Sequence, residues 1–354
     1  MSSSPLTIEE LLSHKDFEHL IHPEDISHIT KKLIEYSKPS DDPIYIKVLS
    51  GIGAWVASLF IAIFLGVTGI FESAYGIIPC GLVLLLPGIF ISRASNVIFL
   101  KQLSLAMVFA GNAALTVGIA ILFKSNELLA ILCAHLFICP IVYYFYDNYV
   151  YRYLSPLFAV LLVVILMMNE STFAALHYLI AIELILAGIL LLKKKKSTFL
   201  NPLTYSVATM LPATLLFFNH LASVNWYRDF KEPLWPSSIL LTGGLIYLYF
   251  HISNGSINRN KRLMILAVSS TILLGIFTTP GILVAIALLI LGFAFGDKIL
   301  LTYAYLFMPY FLVLFYYSLN TNLAHKSWIL VGSGILLLGV RQTITLCQRK
   351  AVNT

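Results

Sequence analysis

From Val48 to Val340 the sequence is a train of apolar runs, most of 16 to 23 residues, separated by short breaks. A helix needs about 20 residues to cross a hydrocarbon layer about 30 Å thick. The pattern therefore reads as a bundle of membrane-spanning helices. The breaks alternate in charge. Lys15, Lys31, Lys32, Lys38 and Lys47 precede the first run. Arg93 and Lys101, then Arg152, then Lys193 to Lys196, then Arg259, Lys261 and Arg262, then Lys298, then Arg341, Arg349 and Lys350 occupy every second break. The intervening breaks hold Lys124, Arg228, Lys231 and Lys326, so 19 of 23 basic residues fall on one side. Basic residues concentrate in cytoplasmic loops. The sequence thus predicts twelve spans with both termini cytoplasmic.

Composition agrees with lipid as the main solvent. Charged residues make up 11% of the chain and hydrophobic residues 59%, whereas a soluble domain is about 25% charged. The net charge of +6 sits in short turns, where it sets orientation and meets anionic headgroups; it is not the footprint of a nucleic-acid binder. Cys80, Cys133, Cys139 and Cys347 form no CxxC pair, which argues against a disulfide framework or a zinc site. No cofactor or metal is expected.

The predicted organisation is all-α. Residues 1–46 form a cytoplasmic helical tail, 47–346 the transmembrane bundle and 347–354 a second cytoplasmic tail. Thr7 is placed to cap a first tail helix. His22-Pro23-Glu24-Asp25 opens a second, with proline at its first position and acids at the positive helix end. The tail is polar, so no cleaved leader is expected and the first span serves as an uncleaved signal. The spans are expected near 48–70, 75–92, 102–123, 127–146, 153–168, 173–192, 203–219, 237–253, 263–278, 280–295, 299–318 and 327–342.

Leu263 to Phe295 is 33 residues without a charge, about 50 Å as one helix. Thr278-Thr279-Pro280-Gly281 offers a turn in its middle. Divided there, the basic residues split 19 to four; undivided, they split 16 to seven. The division is therefore preferred, with Thr278 and Thr279 near the membrane surface. The longest outer loop, His220 to Ser237, carries Trp226, Tyr227 and Trp235 at headgroup depth.

One carboxylate lies inside a span. Glu183 stands eleven residues into the sixth run, near mid-membrane. An ionised acid there costs several kcal/mol, so it must face the bundle interior, stay protonated or find a partner. His135, Asn112 and His177 are the other members of a candidate intramembrane polar site. His177 is six residues from Glu183 and off its helical face, which leaves His135 as the better partner if their helices are neighbours. Asn112, within Ala110-Gly111-Asn112-Ala113-Ala114, lies in a small-residue stretch that favours close helix contact and interhelical hydrogen bonding. No GxSxG, HExxH, P-loop or GxGxxG is present, so no catalytic residue is assigned.

Gly292-Phe293-Ala294-Phe295-Gly296-Asp297-Lys298-Ile299-Leu300-Leu301 is followed by Tyr316-Tyr317-Ser318-Leu319, Lys326-Ser327 and Arg341. With Gly51-Ile52-Gly53-Ala54-Trp55, these residues resemble a bacterial family of polytopic inner-membrane proteins, domain-of-unknown-function family 4401. The resemblance runs over nearly the whole chain. It implies association with a second membrane protein carrying a GDYxxLxY motif, and it assigns no catalytic residue. Read from the residues alone, Gly296 ends one helix as a C-cap and Asp297 caps the next.

The function expected is that of an inner-membrane, non-catalytic subunit or scaffold of an envelope complex. A transporter or channel-like protein with a proton or ion site around Glu183 is the alternative, and a membrane-embedded enzyme a third. The charge asymmetry predicts that alkaline phosphatase fused after Thr354 is inactive while intact. High activity of the intact fusion would place that end outside and overturn the topology.

Overall fold

The computed structural model describes residues 73–123, 126–192, 198–224, 233–253 and 261–318, with isolated positions between 45 and 67 and between 327 and 335. Ten α-helices and one 3-10 turn, with no strand, make up the described residues. They are α1 (Ala74–Ala94), α2 (Ile98–Leu122), α3 (Glu127–Phe145), α4 (Tyr149–Asn169), α5 (Leu176–Leu191), α6 (Asn201–Val224), α7 (Trp235–Ile252), α8 (Lys261–Phe277), α9 (Pro280–Phe295) and α10 (Lys298–Ser318). The 3-10 turn Phe173–Ala175 leads into α5. These helices stand where the second to eleventh spans are expected. The tail helices, the outer loop around Trp226 and nearly all of the first and last spans lie outside the described residues.

Among the described residues, six helical stretches are long and apolar enough to cross a membrane: α1, α2, α3, α4, the run Phe173–Leu191 and the α10 stretch Lys298–Tyr317. Large apolar side chains on them point away from the core, Phe90 at 70%, Phe137 at 72% and Tyr178 at 74% exposed. Surfaces of this kind need lipid or protein against them. The chain is an all-α, membrane-embedded protein.

The closest helix pair is α1 with α2. Ala74, Gly81 and Gly88 recur every seven residues on α1, and Ser104, Gly111 and Gly118 every seven on α2. The helices run antiparallel, so these small residues face one another in register. A Cβ on Gly111 would lie 2.7 Å from the Leu85 amide nitrogen and 2.8 Å from the Gly81 carbonyl oxygen. A Cβ on Gly81 would lie 2.8 Å from Leu115 Cγ. Only hydrogen fits, and the bare backbones gain dispersion contact in return. Ser104 Oγ closes one end of the seam by donating to the Gly88 carbonyl at 2.7 Å.

The division at Pro280 is present. Thr278 closes α8 through its hydroxyl, which donates to the Leu274 carbonyl at 2.6 Å. Thr279 is extended (φ −82°, ψ 151°), as a residue before proline prefers, and Pro280 takes the first helical position. The turn is packed inside the bundle. Pro280 and Gly281 are buried, and a Cβ on Gly281 would overlap the Phe311 ring. Phe311 lies seven residues before the end of α10, about 10 Å along it. The missing side chain of Gly281 lets the aromatic ring occupy the turn.

At the other end of α9, Gly296 is left-handed (φ 64°, ψ 25°). The Asp297 amide donates back to the Gly292 carbonyl at 2.9 Å, the arrangement of a Schellman cap. Asp297 Oδ1 then accepts from the amides of Ile299 at 3.0 Å and Leu300 at 3.4 Å. Both caps are the ones read from the sequence.

The seam makes a sharp prediction. Gly111→Leu should destabilise the protein by about 1–3 kcal/mol through overpacking, seen as a lower thermal-aggregation midpoint in detergent. Leucine at Gly188, which has nothing within 4 Å of its would-be Cβ, should leave that midpoint unchanged.

Candidate functional site

Glu183 lies on the inward face of α5 with Leu176, Ile180 and Ala187, and it is 2% exposed. The face is continuous because these positions recur at three- and four-residue intervals. Thr214 of α6 donates from Oγ1 to Glu183 Oε1 at 2.9 Å. The second carboxyl oxygen, Oε2, has no hydrogen-bond partner among the described residues. A carboxyl so placed can hold a proton or accept a cation. As a bare anion with one hydrogen bond it would be costly.

The four residues singled out from the sequence do not converge. His135, on α3, places Nε2 3.0 Å from the Ser155 carbonyl oxygen of α4. It is thus joined to α4 rather than to Glu183, whose partner is Thr214. Asn112 of α2 donates from Nδ2 to the Tyr151 hydroxyl of α4 at 2.8 Å, while its Oδ1 stays unpartnered. His177 of α5 bonds through Nδ1 to the Ser237 hydroxyl of α7 at 2.8 Å. Asn112 and His135 do share one neighbourhood, because Tyr151 and Ser155 are successive turns of α4. Cys139 Sγ also reaches Ser155 Oγ at 2.8 Å.

Similar single bonds join the remaining helices. Tyr153 of α4 meets Thr209 of α6 at 2.9 Å, and Tyr303 of α10 reaches Tyr153 at 3.4 Å. Tyr205 of α6 donates to Asp297 Oδ2 at 2.9 Å, fixing the turn between α9 and α10. Thr271 of α8 donates to the Tyr249 hydroxyl of α7 at 3.1 Å. Ser104 of α2 meets Tyr146, which follows α3, at 3.1 Å.

Arg152 is more than an orientation mark. It is buried, with its guanidinium carbon 5.2 Å from the Tyr143 ring centroid and 4.6 Å from that of Phe199. Its Nε donates to the Tyr143 carbonyl at 3.0 Å, and its NH1 pairs with the exposed Asp147. Tyr143 in turn donates to the Phe199 carbonyl at 2.7 Å. The cation thus lies beside two aromatic rings that meet each other edge to face at 5.1 Å, and both stabilise it where water is scarce.

The sequence reading gave Thr214, Ser155, Tyr151 and Ser237 no part in bonds between helices. Their signal was a hydroxyl inside or beside an apolar run, the group most able to bond across helices in lipid. Among the described residues no group of three or more His, Cys, Asp and Glu side chains is placed to hold a metal ion.

No curated protein matches the chain, and no solved structure matches it. A family model described as a domain of unknown function, DUF4401, matches residues 43–347. With nearly all of its length covered by that match, the chain belongs to the DUF4401 family.

Proposed function

We propose that this chain is a non-catalytic subunit or scaffold of a bacterial inner-membrane complex. In this reading it crosses the membrane twelve times, with both termini in the cytoplasm. One observation carries the reading. Asn112, His135 and His177 each spend a hydrogen bond on a different helix-to-helix junction, at Tyr151, Ser155 and Ser237. Polar groups distributed in this way hold helices to one another. A transport path or an embedded active site gathers them around one cavity. The partner is a second membrane protein, for which the GDYxxLxY type is the candidate. Affinity capture of the intact protein from gently solubilised membranes should bring that partner down in stoichiometric amount. Capture of the chain alone, from cells that contain the partner, would count against the scaffold reading.

A second reading has its own support. Glu183 Oε2 is buried without a partner among the described residues, and such a carboxyl oxygen in a span is a natural proton or ion site. The two readings separate on two substitutions. If the carboxyl only joins helices, Glu183→Gln should leave abundance and complex formation unchanged, because the amide keeps the bond to Thr214. Glu183→Leu should then lower abundance by removing an interhelical bond worth about 1 kcal/mol. If titration or ion binding matters, Glu183→Gln should abolish function at normal abundance.

A further inference from the structure

We infer that the ion held by the Glu183 site is a proton and that the site is closed to metal cations. The inference deepens the second reading above and rests on it for its bearing on function: if the chain moves an ion across the membrane, that ion is the proton. The geometry separates the two ligands. A metal cation that leaves water replaces its shell with about six or more oxygens. Among the described residues, this site offers three side-chain oxygens, Glu183 Oε1, Glu183 Oε2 and Thr214 Oγ1. The backbone does not supply the rest. Glu183 and Thr214 stand within α5 and α6, where the helical ladder occupies the carbonyls, whereas cation sites in transporters draw on unwound helix. Pro212 frees the Ala208 carbonyl, but Ala208 is six residues before Thr214, about 9 Å along α6. A cleft of about 690 Å³ is lined by Leu184 and Ala187 and not by Glu183. An apolar space of that kind holds no water to complete a shell.

A proton needs a single oxygen. The bond to Thr214 fits a neutral acid, with Oε1 as the accepting carbonyl oxygen and Oε2 as the hydroxyl. Thr204, Thr209, Thr271 and Thr278 each give their hydroxyl hydrogen to a carbonyl one turn back along the chain; Thr214 turns its own to Glu183. No cation stands by to neutralise the ionised form. The elements packed on α5 are the turn Phe173–Ala175, α6 and α7, and neither they nor α5 contain Lys or Arg. Their titratable groups are engaged elsewhere or lie off the face. On α5, His177 bonds Ser237 and Tyr178 is exposed. On α6, Tyr205 and His220 stand nine residues before and six residues after Thr214, off its helical face. On α7, Tyr247 is exposed, Tyr249 accepts from Thr271, and His251 lies seven residues past Gly244, which is level with Leu184. An anion at Glu183 would be buried with one hydrogen bond and no counter-charge. A neutral acid leaves one O–H unpaired, a far smaller penalty.

The test is infrared spectroscopy of the full-length protein in lipid nanodiscs, read as the difference between wild type and Glu183→Gln at neutral pH. The wild type should show a carboxylic-acid C=O band that the variant lacks. That band should shift down in D₂O and stay unmoved when Na⁺ replaces K⁺ or when Mg²⁺ or Ca²⁺ is added. Carboxylate bands in its place would overturn the proposal, and so would loss of the acid band on addition of any of these cations. If Glu183→Gln fails to accumulate, Thr214→Val supplies the comparison. The acid band should then move to higher frequency as its carbonyl loses a hydrogen bond, and an unmoved band would overturn the assignment to Glu183. Activity of Glu183→Gln judges the second reading separately. Lost function with no acid band in the wild type would keep that reading and overturn the proton. An acid band with function intact in the variant would uphold the proton and remove the transport role.

Discussion

In lipid a polar side chain has no water to fall back on, and the arrangement of this bundle follows from that. A hydroxyl, imidazole or amide within a span gains by finding a partner on its own helix or on a neighbour. Here the neighbours are used in sequence. Asn112 ties α2 to α4, His135 ties α3 to α4, Glu183 ties α5 to α6, and His177 ties α5 to α7. Each such bond contributes about 0.6–1.7 kcal/mol, too little to hold a helix pair alone. They select which faces meet. Dispersion between close-packed surfaces supplies the rest, and the buried aliphatic cluster shared by α4 to α7, α9 and α10 is its largest expanse.

Glycine serves two opposite purposes in this frame. Between α1 and α2 it removes the side chain so that backbones come into contact, and every added atom at Gly81 or Gly111 would collide. Between α5 and α7 it removes the side chain and leaves space, because Gly188 and Gly243 face no atom. The difference lies in register. The α1 and α2 glycines repeat every seven residues and oppose one another, which keeps two helices parallel to a common seam. Gly244 instead faces a side chain, that of Leu184, rather than another glycine.

Much of the fold was legible because its signals are one-dimensional. Run length, charge alternation and the Thr278-Thr279-Pro280 interruption placed ten helices where the structure has them, and Gly296-Asp297 announced both caps. Side-chain partnership was less legible, since it depends on which helices touch. The reading of Glu183 as an interior carboxyl holds, but pairing it with His135 assumed that α3 and α5 meet there. Thr214 could not be told from Thr204 or Thr209, all within one apolar run. The packing around the Pro280 turn was hidden for a related reason. It depends on Phe311, 31 residues further on, filling the space that Gly281 leaves.

The Glu183–Thr214 bond between α5 and α6 lies beside an apolar cleft lined by α5, α6, α7 and α9. Glu183 and Ala187 are one turn apart on α5, and Thr214 and Leu211 one turn apart on α6; Ala187 and Leu211 line the cleft. The carboxyl therefore sits just past the closed end of an apolar space, on the side where α5 is held to both neighbours. An isolated carboxyl is an expensive way to make one hydrogen bond, since a threonine or asparagine would do so without the risk of a buried charge. What a carboxyl adds over those groups is the capacity to take up a proton.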